Sequence, residues 1–93
     1  MLRIRYTAKM KKDLKRVKKQ QNMGYNEKEF KEVVFKLANR IPLEKKNKDH
    51  ALDGEYKGSR ECHLAFDLVL IYEIHDDESE LLLMRIGSHD EVL

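Results

Sequence analysis

The chain has 93 residues, of which 41% are hydrophobic, so we expect one domain over residues 1–93 with one modest core. No stretch reaches the roughly 18 apolar residues of a membrane span, and no signal-peptide pattern occurs, which predicts a cytoplasmic protein that does not bind membranes. A net charge of +2 hides an asymmetry, because residues 1–60 carry 18 Lys/Arg against 8 Asp/Glu, whereas residues 61–93 carry 1 against 9.

The basic part of the chain favours attraction to a polyanion, with nucleic acid or ribosome ahead of membrane. The alternative is a set of solvated helix faces. Cys62 is the only cysteine, which excludes an internal disulfide and is typical of a small core residue.

The first half of the chain predicts one short strand and two helices. Alternation in residues 2–6 predicts the strand, and Thr7 can cap a helix that ends near Gln21. Asn26 is a second N-cap, with Glu29 at the capping-box position, and Pro42 ends the second helix. We expect these helices to pack antiparallel on a common sheet.

The second half predicts four strands. We expect a brief strand over residues 54–57, and residues 60–75 are too long for one strand, so a turn at residues 65–67 must divide them. A charged turn at residues 76–79 precedes a last strand over residues 81–86. The predicted fold is α+β in the order β-α-α-β-β-β-β, with two helices on one face of a small, mainly antiparallel twisted sheet.

Residues 49–67 collect groups suited to proton transfer beside a phosphate. His50, His63 and Asp67 lie there with Lys57 and Arg60 between them. Histidine suits a general acid and a general base because its pKa of about 6.5 leaves both forms populated near neutrality. His89 comes after the last strand, and we expect it to fold back onto the others.

The motif DHALxGxYKGxRExH, followed by Asp67, a run that ends in IY and a closing RxGSH, resembles the YafQ branch of the RelE-type bacterial toxins. The resemblance is close in the C-terminal half and extends only to the layout of elements in the N-terminal half. It implies a RelE-like fold and a ribosome-dependent mRNA endonuclease, neutralised by a cognate antitoxin that is encoded beside it. Expected partners are therefore the antitoxin, with a ribbon-helix-helix DNA-binding half, the 70S ribosome and mRNA.

The resemblance also implies the site. It places function on His50, His63, Asp67 and His89, to which we add Arg85 as a cation near the scissile phosphate. His89 and either His50 or Asp67 would act as acid and base, with His63 positioning them, although these roles can be exchanged. The expected chemistry needs no cofactor and no metal.

A further group of residues is predicted to bind RNA. It comprises Lys57, Arg60 and Tyr56 in the motif and the basic face of the first helix, Lys11, Lys12, Lys15, Lys18 and Lys19. Relatives often carry aromatic residues where this chain has Leu68 and Leu93. The base-stacking surface is therefore expected to be weaker here, or to move to Tyr56 or Phe66.

Three alternatives remain open from the sequence. The first is a non-catalytic ParE-like toxin that binds a different target, such as gyrase, and the second is a basic ribosome-associated protein. The third is a zinc site made of His50, His63, Asp67 and His89, which has suitable ligands but lacks the short paired spacing of typical zinc sites. A non-catalytic protein would not need three histidines and an aspartate in these positions, which favours the nuclease.

Overall fold

The computed structural model describes residues 1–93 apart from the side chain at position 21. Its helices are α1 (Ala8–Lys19), α2 (Glu27–Ala38) and α3 (His89–Val92). Its strands are β1 (Arg3–Tyr6), β2 (His50–Ala51), β3 (Arg60–Ala65), β4 (Leu68–His75) and β5 (Glu80–Gly87). The strands form one sheet in the order β1-β5-β4-β3-β2, in which β1 runs parallel to β5 and the other pairs are antiparallel. The predicted α+β order is confirmed, with α3 as an addition.

The helices begin where their capping residues predict. The Thr7 side chain accepts a hydrogen bond from the backbone N–H of Met10 at 3.0 Å, and Asn26 does the same for Glu29 at 2.9 Å. The Glu29 carboxylate turns to Lys46 at 3.7 Å, on the segment that leads to β2, so only the Asn26 half of the predicted capping box is seen. Both caps satisfy an N–H group that the helix itself cannot pair.

The sheet has an apolar cluster on each face. On one face, alternate residues of β4 pack with α1 and α2 in the main core, which includes Leu68, Leu70, Tyr72, Met10, Val17, Val33, Leu37 and the predicted core residue Cys62. On the other face, Val69 and Ile71 pack with Val92 of α3 in a smaller cluster. The smaller cluster holds α3 against the sheet.

The connection between α2 and β3 differs from the prediction. The strand expected over residues 54–57 is wrong, because Gly54–Tyr56 forms one 3-10 turn and the strand is His50–Ala51, which pairs with Arg60 and Glu61. Gly54 and Gly58 have φ values of 68° and 97°, in the left-handed region that glycine tolerates best. A chain that turns at both ends of so short a segment cannot extend as a strand.

The two hairpin turns lie where they were predicted. Phe66 and Asp67 connect β3 to β4, and a 3-10 turn over Asp76–Glu78 connects β4 to β5. The register of the first hairpin shifts between His63 and Ala65, so the strand is irregular beside the turn. No helix in the described residues is long and apolar enough to cross a membrane.

Candidate active site

The alternation of β3 decides which side chains meet. Cys62 points into the main core, so its neighbours Glu61 and His63 point to the opposite face. Across the strands, Glu61 pairs with Ile71 and Ile71 pairs with Arg85, which places these three residues in one row on that face. The candidate site therefore lies on the face that α3 covers in part.

Glu61 is the centre of the site. Its side chain is 1% exposed, and its Oε1 atom lies 2.9 Å from Nε2 of His89, 3.3 Å from Nε2 of His63 and 3.8 Å from Nε2 of His50. Among the described residues, no hydrogen-bond donor reaches its other oxygen, Oε2, although that atom is buried. A buried carboxylate surrounded by three imidazoles makes the charge of the whole group depend on how many protons the rings hold.

His89 reaches this carboxylate because α3 starts immediately after β5. Ser88 caps the helix, and its capping box with Glu91 is complete in both directions. Asp67 approaches from the β3–β4 turn, with its Oδ1 atom 3.6 Å from Nδ1 of His89. The His89 ring thus lies between two carboxylates.

The other two histidines have different surroundings. Nδ1 of His50 lies 2.7 Å from the backbone carbonyl of Lys48. Because a carbonyl oxygen can only accept a hydrogen bond, Nδ1 carries the ring proton and Nε2 keeps its lone pair. Burial lowers the pKa of His63, while the attraction of Glu61 opposes the shift, and the neutral ring is favoured at neutral pH. The rings of His63 and His89 are 5.3 Å apart between centroids.

Arg85 lies on the same face but is held by α1. Its Nε and Nη2 donate to the two oxygens of Asp13 at 2.7 and 3.1 Å, and the N–H of Ile86 donates to the same carboxylate at 3.2 Å. Burial raises the pKa of Asp13, but the hydrogen bonds from Arg85 and from Ile86 outweigh that effect and lower it overall. Arg85 is thereby fixed in position, with Nη1 outside the pair.

Some predicted RNA-binding residues lie away from this cluster. Arg60 points to the main-core side of β3, where its guanidinium pairs with both oxygens of Asp49 at 3.3 and 3.2 Å. The Tyr56 hydroxyl donates to the Val92 carbonyl at 2.9 Å and so holds α3 in place. Lys57 is exposed beyond the 3-10 turn.

The predicted lysines of α1 form an exposed surface of their own. All five are solvent-exposed, and four of them line one shallow groove with Tyr6 and Leu14, namely Lys11, Lys12, Lys15 and Lys18. Lys18 pairs with Glu27 at 3.6 Å. The surface is available to a polyanion without any change in the fold.

Sequence reasoning missed two carboxylates, Glu61 and Asp13. Glu61 did have a signal in the sequence. Glu61 and His63 alternate with the apolar residues Cys62 and Leu64 in the predicted strand, so both point to the same face. Asp13 had a weaker signal, as the one acidic residue among the lysines of α1. Phe66, at the β3–β4 turn, is fully exposed at 100% and lies next to Asp67, which makes it the freer of the two aromatic residues considered for base stacking.

Part of the site could also hold a metal ion. One ligand atom from each of Glu61, His63 and His89 lies within 4.8 Å of the other two. Two imidazoles and a carboxylate suit Zn²⁺, Ni²⁺ or Cu²⁺. His50 and Asp67, which the sequence also offered as zinc ligands, are not in this set.

Comparisons with known proteins agree on one family. The family described as "Bacterial toxin of type II toxin-antitoxin system, YafQ" matches residues 2–93. The mRNA interferase toxin YafQ of Escherichia coli K12 is 33% identical over 86 residues, which cover 92% of this chain and 89% of that protein. A Haemophilus influenzae protein named as a YafQ toxin is 46% identical over 61 residues, and the match spans 63% of this chain and 60% of that protein.

Solved structures give the same result. A metal-bound toxin from Helicobacter pylori superposes with a TM-score of 0.90 at 45% identity, covering 100% of both chains. The toxin in the E. coli DinJ-YafQ complex superposes with a TM-score of 0.84 at 30% identity, covering 100% of this chain and 99% of that one. These similarities extend over the whole chain, including the part in which the sequence alone showed only a similar layout.

Proposed function

The chain belongs to the YafQ family of bacterial toxins from type II toxin-antitoxin systems, and from that premise we propose that it is a ribosome-dependent endoribonuclease that cuts translated mRNA in the ribosomal A site. The observation that carries the proposal is the convergence of His50, His63 and His89 on the single oxygen Oε1 of Glu61. A ParE-like binding protein has no use for such a group.

The proposed reaction is an in-line attack within the RNA. A base takes the proton of the ribose 2′-OH, the O2′–P bond forms, and the P–O5′ bond breaks as an acid protonates the leaving oxygen. DNA lacks this internal nucleophile. The products are a 2′,3′-cyclic phosphate and a free 5′-OH, so the step needs no oxidant and no external nucleophile.

The surroundings of each ring suggest its role. His89 lies 2.9 Å from Glu61 and 3.6 Å from Asp67, two carboxylates that hold its ring in place, and we assign it the role of general acid. His50 is half-exposed, and its Nε2 is free to accept the 2′-OH proton, so it is the base. His63 has a lowered pKa and stays neutral as a positioning residue between them.

Several basic residues would bind the substrate and the ribosome. Arg85, fixed by Asp13, would stabilise the extra charge of the phosphorane through Nη1. A groove beside His63 offers a path for the strand; it is lined by Phe66 and by charged residues of both signs, namely Lys28, Lys46, Lys48, Glu29 and Glu32. Among the residues predicted to bind RNA, the α1 lysines are expected to contact rRNA, and Lys57 the flanking mRNA.

We also propose that a cognate antitoxin neutralises the chain, as the DinJ-YafQ complex of E. coli suggests for this family. The expected antitoxin has a ribbon-helix-helix DNA-binding half. Binding should not need the titratable groups of the site, so variants of the three histidines are expected to retain it.

The experiment compares cleavage of one transcript, free and in a stalled 70S complex, at equal protein concentration. We expect efficient cutting only in the complex, because a pre-ordered codon supplies the in-line alignment that a small domain cannot, and well-oriented groups reach effective molarities of about 10⁵ to 10⁸ M. Equal rates on both substrates would remove the ribosome from the mechanism. A parallel arm adds a mild chelator and then zinc. If the chelator abolished cutting and zinc restored it, the metal-independent chemistry would be wrong.

A further inference from the structure

A second histidine and carboxylate cluster lies at the β4–β5 hairpin, in a part of the molecule that the proposed nuclease does not use. One ligand atom from each of His75, Glu78 and Glu80 lies within 4.8 Å of the other two. His75 ends β4 and Glu80 starts β5, and the two are paired across the strands. Glu78 comes from the turn between them, so three neighbouring positions of one hairpin converge.

Glu80 is the unusual member of this cluster. Its side chain is 6% exposed, and its Oε1 atom is buried without a hydrogen-bond donor among the described residues. Nε of Arg5 lies 3.4 Å away without hydrogen-bond geometry, and Nδ1 of His75 lies 3.7 Å away. Buried carboxylate oxygens normally accept a hydrogen bond, and this one has only the ion pair with Arg5, so it keeps the capacity to bind a cation.

Glu73 fixes the orientation of the His75 ring through the nitrogen that faces away from Glu80. Its Nε2 lies 2.8 Å from Oε1 of Glu73, and the other Glu73 oxygen accepts a hydrogen bond from the Ser59 hydroxyl at 2.6 Å. With the proton on Nε2, the lone pair of Nδ1 faces Glu80. A carboxylate that holds the far nitrogen of a histidine is the usual second-shell arrangement of protein metal sites.

We propose that His75 through Nδ1, Glu80 through Oε1 and Glu78 bind a divalent transition metal, with Glu73 and Ser59 as the supporting residues. One imidazole and two carboxylates suit Zn²⁺, Ni²⁺ or Cu²⁺. The separation of 3.7 Å between Nδ1 and Oε1 is close to what two bonds of about 2.1 Å give at tetrahedral angles.

Two arginines of the N-terminal segment face the cluster. Arg3 donates to the Glu78 carbonyl at 3.2 Å and not to its carboxylate, which has no ion pair within the described part of the chain. The Arg5 side chain is 65% exposed, so it can swing into solvent when a cation takes its place beside Glu80. Metal binding therefore competes with one exposed ion pair, which is a weak competitor.

The test is a Ni²⁺ titration of the isotope-labelled full chain, followed by NMR. Paramagnetic broadening reports where the metal is, so it separates this hairpin from the cluster at Glu61, which carries its own set of metal ligands. We expect backbone amides of residues 73–80 to broaden first or together with those around His63. His75→Gln should abolish the broadening at the hairpin and leave the pattern around His63 unchanged.

Adjacent acidic residues of the turn provide a matched pair of variants. Glu78→Gln and Asp77→Asn each remove one exposed negative charge, but only Glu78 is a proposed ligand. Glu78→Gln should weaken Ni²⁺ binding at the hairpin at least about tenfold, and the supporting variant Glu73→Gln about 10- to 100-fold, whereas Asp77→Asn should leave it unchanged.

Three results would overturn the proposal. One is wild-type protein that shows no broadening over residues 73–80 at a several-fold excess of Ni²⁺. Another is an unchanged hairpin response in His75→Gln. The third is an equal loss in Glu78→Gln and Asp77→Asn, which would show diffuse attraction to an acidic turn. Each variant is first checked for a dispersed amide spectrum, and Glu80→Gln gives a second route if His75→Gln does not fold.

Discussion

Two buried carboxylates, Asp13 and Glu61, differ in the kind of partner they hold. Asp13 is 2% exposed and accepts hydrogen bonds from Arg85 and from the N–H of Ile86, so its partners keep their protons at any ordinary pH. Glu61 is 1% exposed and faces three imidazoles, all through one oxygen. Permanent partners make a structural anchor, whereas titratable partners make a group that can take up and release protons.

The largest effect should come from breaking the titratable group. His89→Ala, and likewise His50→Ala, His63→Ala or Asp67→Ala, should lower cleavage in the stalled complex by about 10²- to 10⁴-fold, because each removes or misplaces a proton-transfer group. Growth inhibition in a host without the antitoxin checks this, with antitoxin binding as the folding control. Full toxicity of a variant that lacks both His63 and His89 would disprove the assigned site.

Glu61→Gln should have the next largest effect and should separate activity from stability. The amide keeps the shape but loses the charge that gathers the three rings, and a misplacement of about 1 Å can cost about 10²-fold in rate. Stability should change little, because one oxygen of Glu61 has no donor to lose among the described residues. The measurement pairs single-turnover cleavage with urea unfolding, and a loss of stability in proportion to the loss of rate would contradict it.

Asp13→Asn should show the opposite pattern. We expect a loss of about 2 kcal/mol in the free energy of unfolding, since hydrogen bonds from Arg85 to a charged acceptor are lost. The pKa of Asp13 is lowered in the folded state, so its contribution is present above the ordinary value of 3.8 and is lost as the pH falls through the lower folded value. Unfolding curves from pH 7 to pH 2 should therefore converge for wild type and Asp13→Asn at the acid end.

The smallest effect is expected at Arg16, which joins the two regions. It pairs with Asp13 at 3.2 Å and with Glu91 of α3 at 3.2 Å, and its side chain is 36% exposed. Arg16→Gln should cost about 0.5 to 1 kcal/mol of stability and lower cleavage only a few-fold, as expected for partly exposed ion pairs. A loss of rate near that of His89→Ala, at intact stability, would mean that the two carboxylates act as one unit.

The sequence predicted well whatever depends on local physics. Thr7 and Asn26 cap helices because their side chains pair orphan N–H groups, and the turn at Phe66 and Asp67 follows from the limited length of a strand. His89 was expected to fold back onto the other histidines, but the sequence pattern gave no element that would bring it there. The structure shows the physical reason, which is a capping box that starts α3 directly after β5.

What the sequence did not predict depends on tertiary contacts. Asp13 was passed over as one charge on a lysine-rich helix, because its partner Arg85 is 72 residues away. Arg60 was grouped with the site histidines, although strand alternation already places it on the face opposite Glu61 and His63. The strand predicted at residues 54–57 was wrong because two left-handed glycines override the propensity of the residues between them.

The parallel pairing of β1 with β5 affects when during folding the candidate site can assemble. Arg3 lies opposite Glu80, so the first strand made finds its partner only after β5 has emerged from the ribosome that is making it. Pairings so distant in sequence form late and slowly. Since β5 also carries Arg85 and leads directly into His89, a chain in which β5 has not yet paired has no assembled site, and the proposed activity must wait for that pairing.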